Sequence, residues 1–475
     1  MSQNSASGAA GAALALLATT MVVLAAIAGV ATDRSALMLV LALPVGLAGA
    51  MMVTTRPEIM LLIIMGTRAA IDPLLETLKQ GGGASPGAAI NVAMLVLMVV
   101  FLVRHPWKIM NLRVLAWLPF LALAFIAMRA APESVQPMRM MFTYLTYLAA
   151  FAMPFALIRQ AGQARALIAT VIIASIVPTI SGLIQVAQGG LPIPDPDSLE
   201  AAESMSAPVD YSGFRIESVF NHPNIYGCFL VAVIAALLYA VHHARAAGEK
   251  RWSWGLQLYL LVQVGMLLAT QTRSAWVAAG VLFIAMGLFA ERRYLVYLVV
   301  ALPLLMLVPV VQDRVIDAFM GTRTNSGLDE QLTSFAWRLM MWKAALPWIA
   351  ERPLMGWGLN AYTEYSAIFF PYEATRAYDA HNVFVQLAFE IGIPGAVAFA
   401  GMFLVAMITG GRQWRQYRAE TVISGALTLG FLLTCYSDNV HHYLVANWYT
   451  FFVLGTLYAR MHADAGANGE ADTKR

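Results

Sequence analysis

Two residues suited to chemistry stand near either end of one stretch, Phe335–Gly395: Arg338, and His381 in the pair His381-Asn382. Further candidates are Arg215, His222, Asn224, Arg273 and Asp438. A guanidinium fork matches phosphoryl oxygens and can stabilise the charge that develops as a diphosphate leaves. An imidazole titrating near neutrality can take a proton from an attacking hydroxyl. Asp438 precedes His441 and His442, but this spacing is not the i, i+4 pattern of a helical zinc site and no cysteine assists, so no metal is expected. Asp438 can instead orient a histidine or an arginine. A nucleotide-binding glycine loop and an HExxH motif are missing from the sequence, so ATP use and zinc proteolysis have no support.

The elements that must position these groups are membrane helices. The chain has 475 residues, 60% of them hydrophobic, with a mean hydropathy of +0.67. Charged residues make up 12%, about half of the roughly 25% typical of soluble domains. A soluble fold could not hide that much apolar surface, so the expected class is an all-α, polytopic integral membrane helical bundle with a large helical loop at the site. Fourteen apolar runs are candidate spans: 9–31, 35–54, 58–72, 89–103, 112–130, 139–158, 166–188, 222–243, 254–270, 274–290, 294–311, 382–409, 420–436 and 444–461. The third and fourth are short enough to be re-entrant or interfacial, which gives 12–14 transmembrane helices. The first run is too long for a signal peptide and lacks a basic region before it. Cys228 and Cys435 lie inside apolar runs and read as buried structural thiols.

Basic residues set an expected orientation. With the N-terminus inside, Arg56, Arg104/Lys108/Arg113, Arg159/Arg165, Arg245/Lys250/Arg251, Arg292/Arg293, Arg412/Arg415/Arg418 and the segment from Arg460 all fall on the cytoplasmic side. Acids such as Asp195, Asp197, Glu200, Glu203, Asp210, Glu217, Asp313 and Asp317 fall outside. The organisation is then N-terminal spans over 1–188, an outer loop over 189–221, spans over 222–311, a large outer loop over 312–381, C-terminal spans over 382–461, and a disordered cytoplasmic tail over 462–475. All the candidate site residues come to the outer face. Asn221 or His222 suits a helix cap before Pro223, and Asn221, His222 and Asn224 fit capping or substrate binding equally well. The tight hairpin Thr270–Trp276 surrounds Arg273 with Gln271, Thr270, Thr272 and Ser274, a polar cluster rather than a snorkelling cation. Phe335, Leu339, Trp342, Leu346 and Ile349 mark one face of a helix after Ser334, with Trp337, Trp342 and Trp348 suited to the membrane interface. Pro353 and Gly356-Trp357-Gly358 end it in a turn, and Gly392–Gly395 kinks the following span. Arginines beside lipid, with a histidine, fit transfer of a group from a lipid diphosphate to an alcohol.

The segments FNHPNIYGCFL (220–230), TRSAWV (272–277), RLMMWKAALPWIAERPLMGWGLN (338–360) and AHNVFVQLAFEIGIPG (380–395) resemble the O-antigen ligase/O-antigen polymerase superfamily of bacterial envelope glycosyltransferases. The resemblance covers about 210–400; before that the chain matches only in being hydrophobic. It implies a donor glycan on undecaprenyl diphosphate, no cofactor, no metal, and a periplasmic loop over a site in the bacterial inner membrane. It implies that Arg273 and Arg338 hold the donor diphosphate and that His381 is the base or positions the acceptor. Arg215 carries over less directly, and His222, Asn224, Asn382 and Asp438 are candidates for binding substrate. The implied partners are the lipid-linked glycan, a glycan or lipid A-core acceptor, membrane lipids and other polysaccharide-export proteins, with no nucleic acid. Polymerisation of exopolysaccharide or O-antigen is favoured over ligation to lipid A-core or glycosylation of protein hydroxyls. A polysaccharide or lipid transporter, in which the arginines bind without chemistry, is the alternative of another class; its usual internal repeats and midplane charges are not seen.

Overall fold

The computed structural model describes residues 49, 51–79, 86–132, 135–189, 191–192, 214–307, 312, 322–324, 330–332, 334–370 and 377–472. The run 9–31, most of 35–54, and the outer-loop acids from Asp195 to Asp210 with Asp313 and Asp317 lie outside the described residues. The protein is an all-α membrane bundle. Its helices are α1 (Pro57–Lys79), α2 (Pro86–Arg104), α3 (Leu118–Arg129), α4 (Val135–Leu157), α5 (Ala161–Ala174), α6 (Ile176–Ala187), α7 (Pro223–Ala246), α8 (Lys250–Ala269), α9 (Arg273–Phe289), α10 (Arg293–Leu305), α11 (Ser334–Glu351), α12 (Ala361–Phe369), α13 (Val383–Glu390), α14 (Ile393–Gly411), α15 (Arg418–Ser437) and α16 (Leu444–Asp472). Single helical turns at Pro106–Ile109 and Leu112–Leu115 lead into α3. Two short antiparallel pairs complete the described elements: β1 (Leu191–Pro192) with β2 (Phe214–Arg215), and β3 (Thr322–Thr324) with β4 (Glu330–Leu332).

Among the described residues, eight stretches are long and apolar enough to cross a membrane, counting Leu112–Arg129 and Gly162–Ala187 as single passes. The fourth apolar run is one of them, Gly87–Arg104, and the third forms the 23-residue α1. Helices α9 and α10 are shorter apolar helices. The structure alters three expectations. Within the run 294–311, the described helix α10 ends at Leu305 and has 13 residues, short of the roughly 20 that a span needs. The run 382–409 is two helices, α13 and α14, separated at Gly392, whose φ is +85°. The tail expected to be disordered from 462 continues α16 to Asp472, because extending an existing helix needs no new nucleus.

Helix α7 is buried almost throughout and forms the centre with α4 and α16. Close crossings use small residues. Gly455 of α16 lies against the Phe151 backbone of α4, Gly227 of α7 against Thr272 and Ala275, and Gly430 of α15 against Ala278 of α9. Cys228 and Cys435 are buried free thiols.

The starts of α7, α9, α14 and α16 and the ends of α3 and α15 meet at one end of the bundle, where α11, α12 and α13 build a cap with its own core. That core joins Met341, Ala345, Ile349, Tyr362, Phe370 and Phe389. The residues that mark one face of α11 by spacing are divided by the packing: Trp342 and Ile349 are inside, but Leu339 and Leu346 are exposed. The helix is apolar on several faces, and spacing alone cannot separate a protein-facing face from another apolar one. At the opposite end, Arg113 donates to the Thr409 carbonyl and hydroxyl, and His243 lies 3.0 Å from Glu420.

Candidate active site

Residues from four separate parts of the chain converge where α7 begins and α15 ends. Pro223 occupies the first position of α7, and His222 caps the helix by accepting the Asn224 N–H through Nδ1 at 3.1 Å. This directs the Asn224 amide across to the residue that follows α15, where its Nδ2 donates to Asp438 Oδ2 at 2.9 Å. Asn224 Oδ1 in turn accepts from Arg215 Nη2 at 3.0 Å and from Thr272 Oγ1 at 3.3 Å. Arg215 also donates through Nε to the Thr270 carbonyl at 3.0 Å, which ties β2 to the α8–α9 hairpin. Arg273 follows Thr272 as the first residue of α9 and is half-buried at the edge of this network.

Asp438 lies just past α15 with only 3% of its surface exposed. It is held by the Asn224 amide, the Tyr443 hydroxyl on Oδ2 at 2.8 Å, and the Asn439 N–H on Oδ1 at 2.8 Å. His381 Nδ1 stands 3.5 Å from Asp438 Oδ1, an ion-pair separation without a hydrogen bond. Burial pushes the Asp438 carboxyl up, but His381, Arg338 and the Tyr443 hydroxyl outweigh it and hold the group down at about 2. Burial lowers His222; Asp438 opposes this, while Arg215 and His381 add to it. His222 is thereby kept neutral, as its role as a cap acceptor requires.

His381 is on a strained backbone, with φ +46°. Asn221 (+55°) and Gln271 (+53°) share that conformation and introduce α7 and the α8–α9 hairpin. The side chain of His381 is 37% exposed while its Nδ1 is buried toward Asp438. That arrangement favours the Nδ1–H tautomer and leaves Nε2 on the open side. The next residue, Asn382, caps α13 by accepting from the Phe384 and Val385 N–H groups at 3.0 and 3.1 Å. Arg338 reaches from α11 to donate to the Ser437 carbonyl at 2.6 Å, which brings its guanidinium beside Asp438.

Of the residues singled out from the sequence, Arg215, His222, Asn224, Arg338, His381 and Asp438 come together, Arg273 adjoins them through Thr272, and Asn382 sets the backbone that presents His381. Sequence reading missed Tyr443 and the partners of Glu390. Tyr443 shares a turn with Asp438, and a buried carboxylate needs donors, so that signal was available. Glu390 accepts from Gln386 Nε2 at 3.0 Å, and its backbone carbonyl takes the Gly358 N–H at 3.0 Å. It is fully buried beneath the cap, and burial raises its carboxyl to about 8 against the hydrogen bonds from Asn360, Gln386 and Tyr362.

Residues 258–400 match the family model for O-Antigen ligase. This segment is similar to the O-antigen ligase/polymerase superfamily. The matched segment runs from within α8 to within α14 and contains Arg273, Arg338, His381 and Asn382. Arg215, His222, Asn224 and Asp438 lie outside it, and the hydrogen-bonded network joins them to it. No curated protein matches the chain.

Proposed function

We propose that the protein is a metal-independent glycosyltransferase that moves a glycan from undecaprenyl diphosphate to an acceptor hydroxyl on the periplasmic face of the bacterial inner membrane, polymerising exopolysaccharide or O-antigen repeat units. The observation that carries this reading is His381, half open to the outside, backed by a buried ionised Asp438 and flanked by Arg338. His381 Nε2 takes the acceptor proton as the hydroxyl oxygen attacks the anomeric carbon. The bond from that carbon to the diphosphate oxygen breaks, and its electron pair leaves with the lipid diphosphate. Asp438 holds the imidazole and stabilises the imidazolium; Arg338 and Arg273 receive the growing phosphate charge. Arg215, His222, Asn224 and Asn382 keep the segments around the substrate in register.

The test is turnover of a lipid-diphosphate oligosaccharide by purified protein. His381→Ala is expected to lower release of lipid diphosphate by roughly 10²-fold or more. Equal release by wild type and variant would sink the catalytic assignment, and binding without release by either would favour a transporter. Glycans from a deletion strain separate the acceptors. Single-unit lipid intermediates support polymerisation, whereas long polymer retained on its carrier would overturn it in favour of ligation.

A further inference from the structure

The turn between α11 and α12 does not shield its apolar tip. Leu354 is 67% and Met355 54% exposed, although the turn itself is tightly held. The Ile393 N–H donates to the Pro353 carbonyl at 2.8 Å, the Trp357 N–H to Phe389 at 2.9 Å, and the Gly358 N–H to Glu390 at 3.0 Å. At Gly392 the two chains touch so closely that a Cβ would come 2.5 Å from the Leu354 carbonyl oxygen. The tip therefore rests on the first residue of α14.

Helix α14 has one exposed apolar stripe, Ile393, Val397, Leu404 and Ile408, opposite its buried Phe399, Met402, Phe403 and Ala406. In a helix that is long and apolar enough to span a membrane, such a stripe faces lipid. Its upper end, Ile393, is continuous with Leu354 and Met355. On the other flank, the exposed residues Leu339, Lys343, Leu346 and Ala350 follow one face of α11 down to the same tip. A lone lysine amid apolar side chains suits a helix in the headgroup layer, where its stem lies along lipid and its ammonium reaches water. Arg352, stacked over the Trp357 ring at 4.0 Å, adds a cation and an aromatic at the same level.

We propose that Leu354 and Met355, with the exposed face of α11, form a membrane anchor that inserts into the lipid leaflet at the active-site end. The partner is the phospholipid surface itself. The anchor fixes the height of α13, and so of His381 one residue before its cap, above the plane in which a lipid-linked substrate would present its headgroup. This last consequence rests on the proposed function; the insertion does not.

Both native cysteines are buried, so a single introduced cysteine can be labelled selectively. Met355→Cys carrying a small fluorophore, reconstituted in phospholipid vesicles, is compared with Val397→Cys on the lipid-facing stripe and Glu364→Cys on the exposed side of α12. Lipids with a spin-label quencher near the headgroup are expected to quench position 355 strongly, more than lipids with the quencher near the chain end, and to leave position 364 bright. Emission at 355 as bright as at 364 would overturn the anchor. Shielding of 355 from both lipid quenchers and aqueous iodide would also overturn it, because protein would then cover the tip. Leu354→Glu combined with Met355→Glu should abolish the quenching of a label at Pro353→Cys while melting remains cooperative. Loss of quenching without loss of turnover would remove the height-setting role alone, and none of the fluorescence outcomes depends on whether the protein turns over glycan.

Discussion

Asp438 bears on the candidate chemistry through three hydrogen-bond donors and one further neighbour. The Asn224 amide, the Tyr443 hydroxyl and the Asn439 N–H saturate most of its lone pairs, and the remaining approach belongs to His381. Asp438→Asn preserves shape but removes the charge proposed to steady an imidazolium. Turnover is expected to fall by roughly 10²-fold or more with little change in the KM for the lipid donor; an unchanged kcat would show that Asp438 serves the fold alone. Glu390 offers a pH test of the cap. Its folded pKa, near 8, lies above an unfolded value of about 4.3. The native state therefore holds a proton that the unfolded chain has lost. The stabilisation is complete below the unfolded pKa and declines as pH rises toward the folded one. Thermal melts of wild type should fall across that window, and Glu390→Gln should flatten the dependence.

At the scale of elements, the site depends on how short segments end. α13 and α14 are separate helices because Gly392 turns the chain through a left-handed conformation against the Leu354 carbonyl. Gly392→Ala places a Cβ in backbone contact, and should cost about 1–3 kcal/mol in melting experiments. Gly162→Ala, in α5 with nothing within 4 Å of the added methyl, should stay within about 1 kcal/mol of wild type. Equal melting of both variants would mean that the α13–α14 break is not a rigid joint. The sequence made Gly392–Gly395 legible as a kink and Pro223 as a helix start, because both are local backbone chemistry. It did not show that the kink divides a single span from a helix of the cap, since both sides are equally apolar.

For the whole molecule, the membrane bundle was legible because a water-soluble chain cannot bury so many apolar runs. The lengths of α10 and α16 and the buried face of α11 were not. In a bilayer an outward apolar residue costs nothing, so hydropathy does not distinguish lipid from protein as the neighbour. The site was half legible. Arg338 and His381 stand out as polar groups at the edges of apolar runs, whereas the bond between Asn224 and Asp438 joins residues 214 positions apart and exists only once α7 and α15 have packed. Gly227 and Gly430, which let α9 approach both helices, thereby contribute to the candidate chemistry from within the bundle.

The backbone of His381 also decides how its role can be dissected. At φ +46°, a β-branched residue is strongly disfavoured, and Val or Thr would disturb the site by displacing the loop, whatever the imidazole does. Alanine keeps the position at a modest conformational penalty. Asparagine enters this mirror-handed region more readily than most side chains, so His381→Asn removes the proposed base while respecting the bend. Agreement between the Ala and Asn variants would assign the loss to the imidazole; an Asn variant with restored turnover would assign it to the curve of the chain.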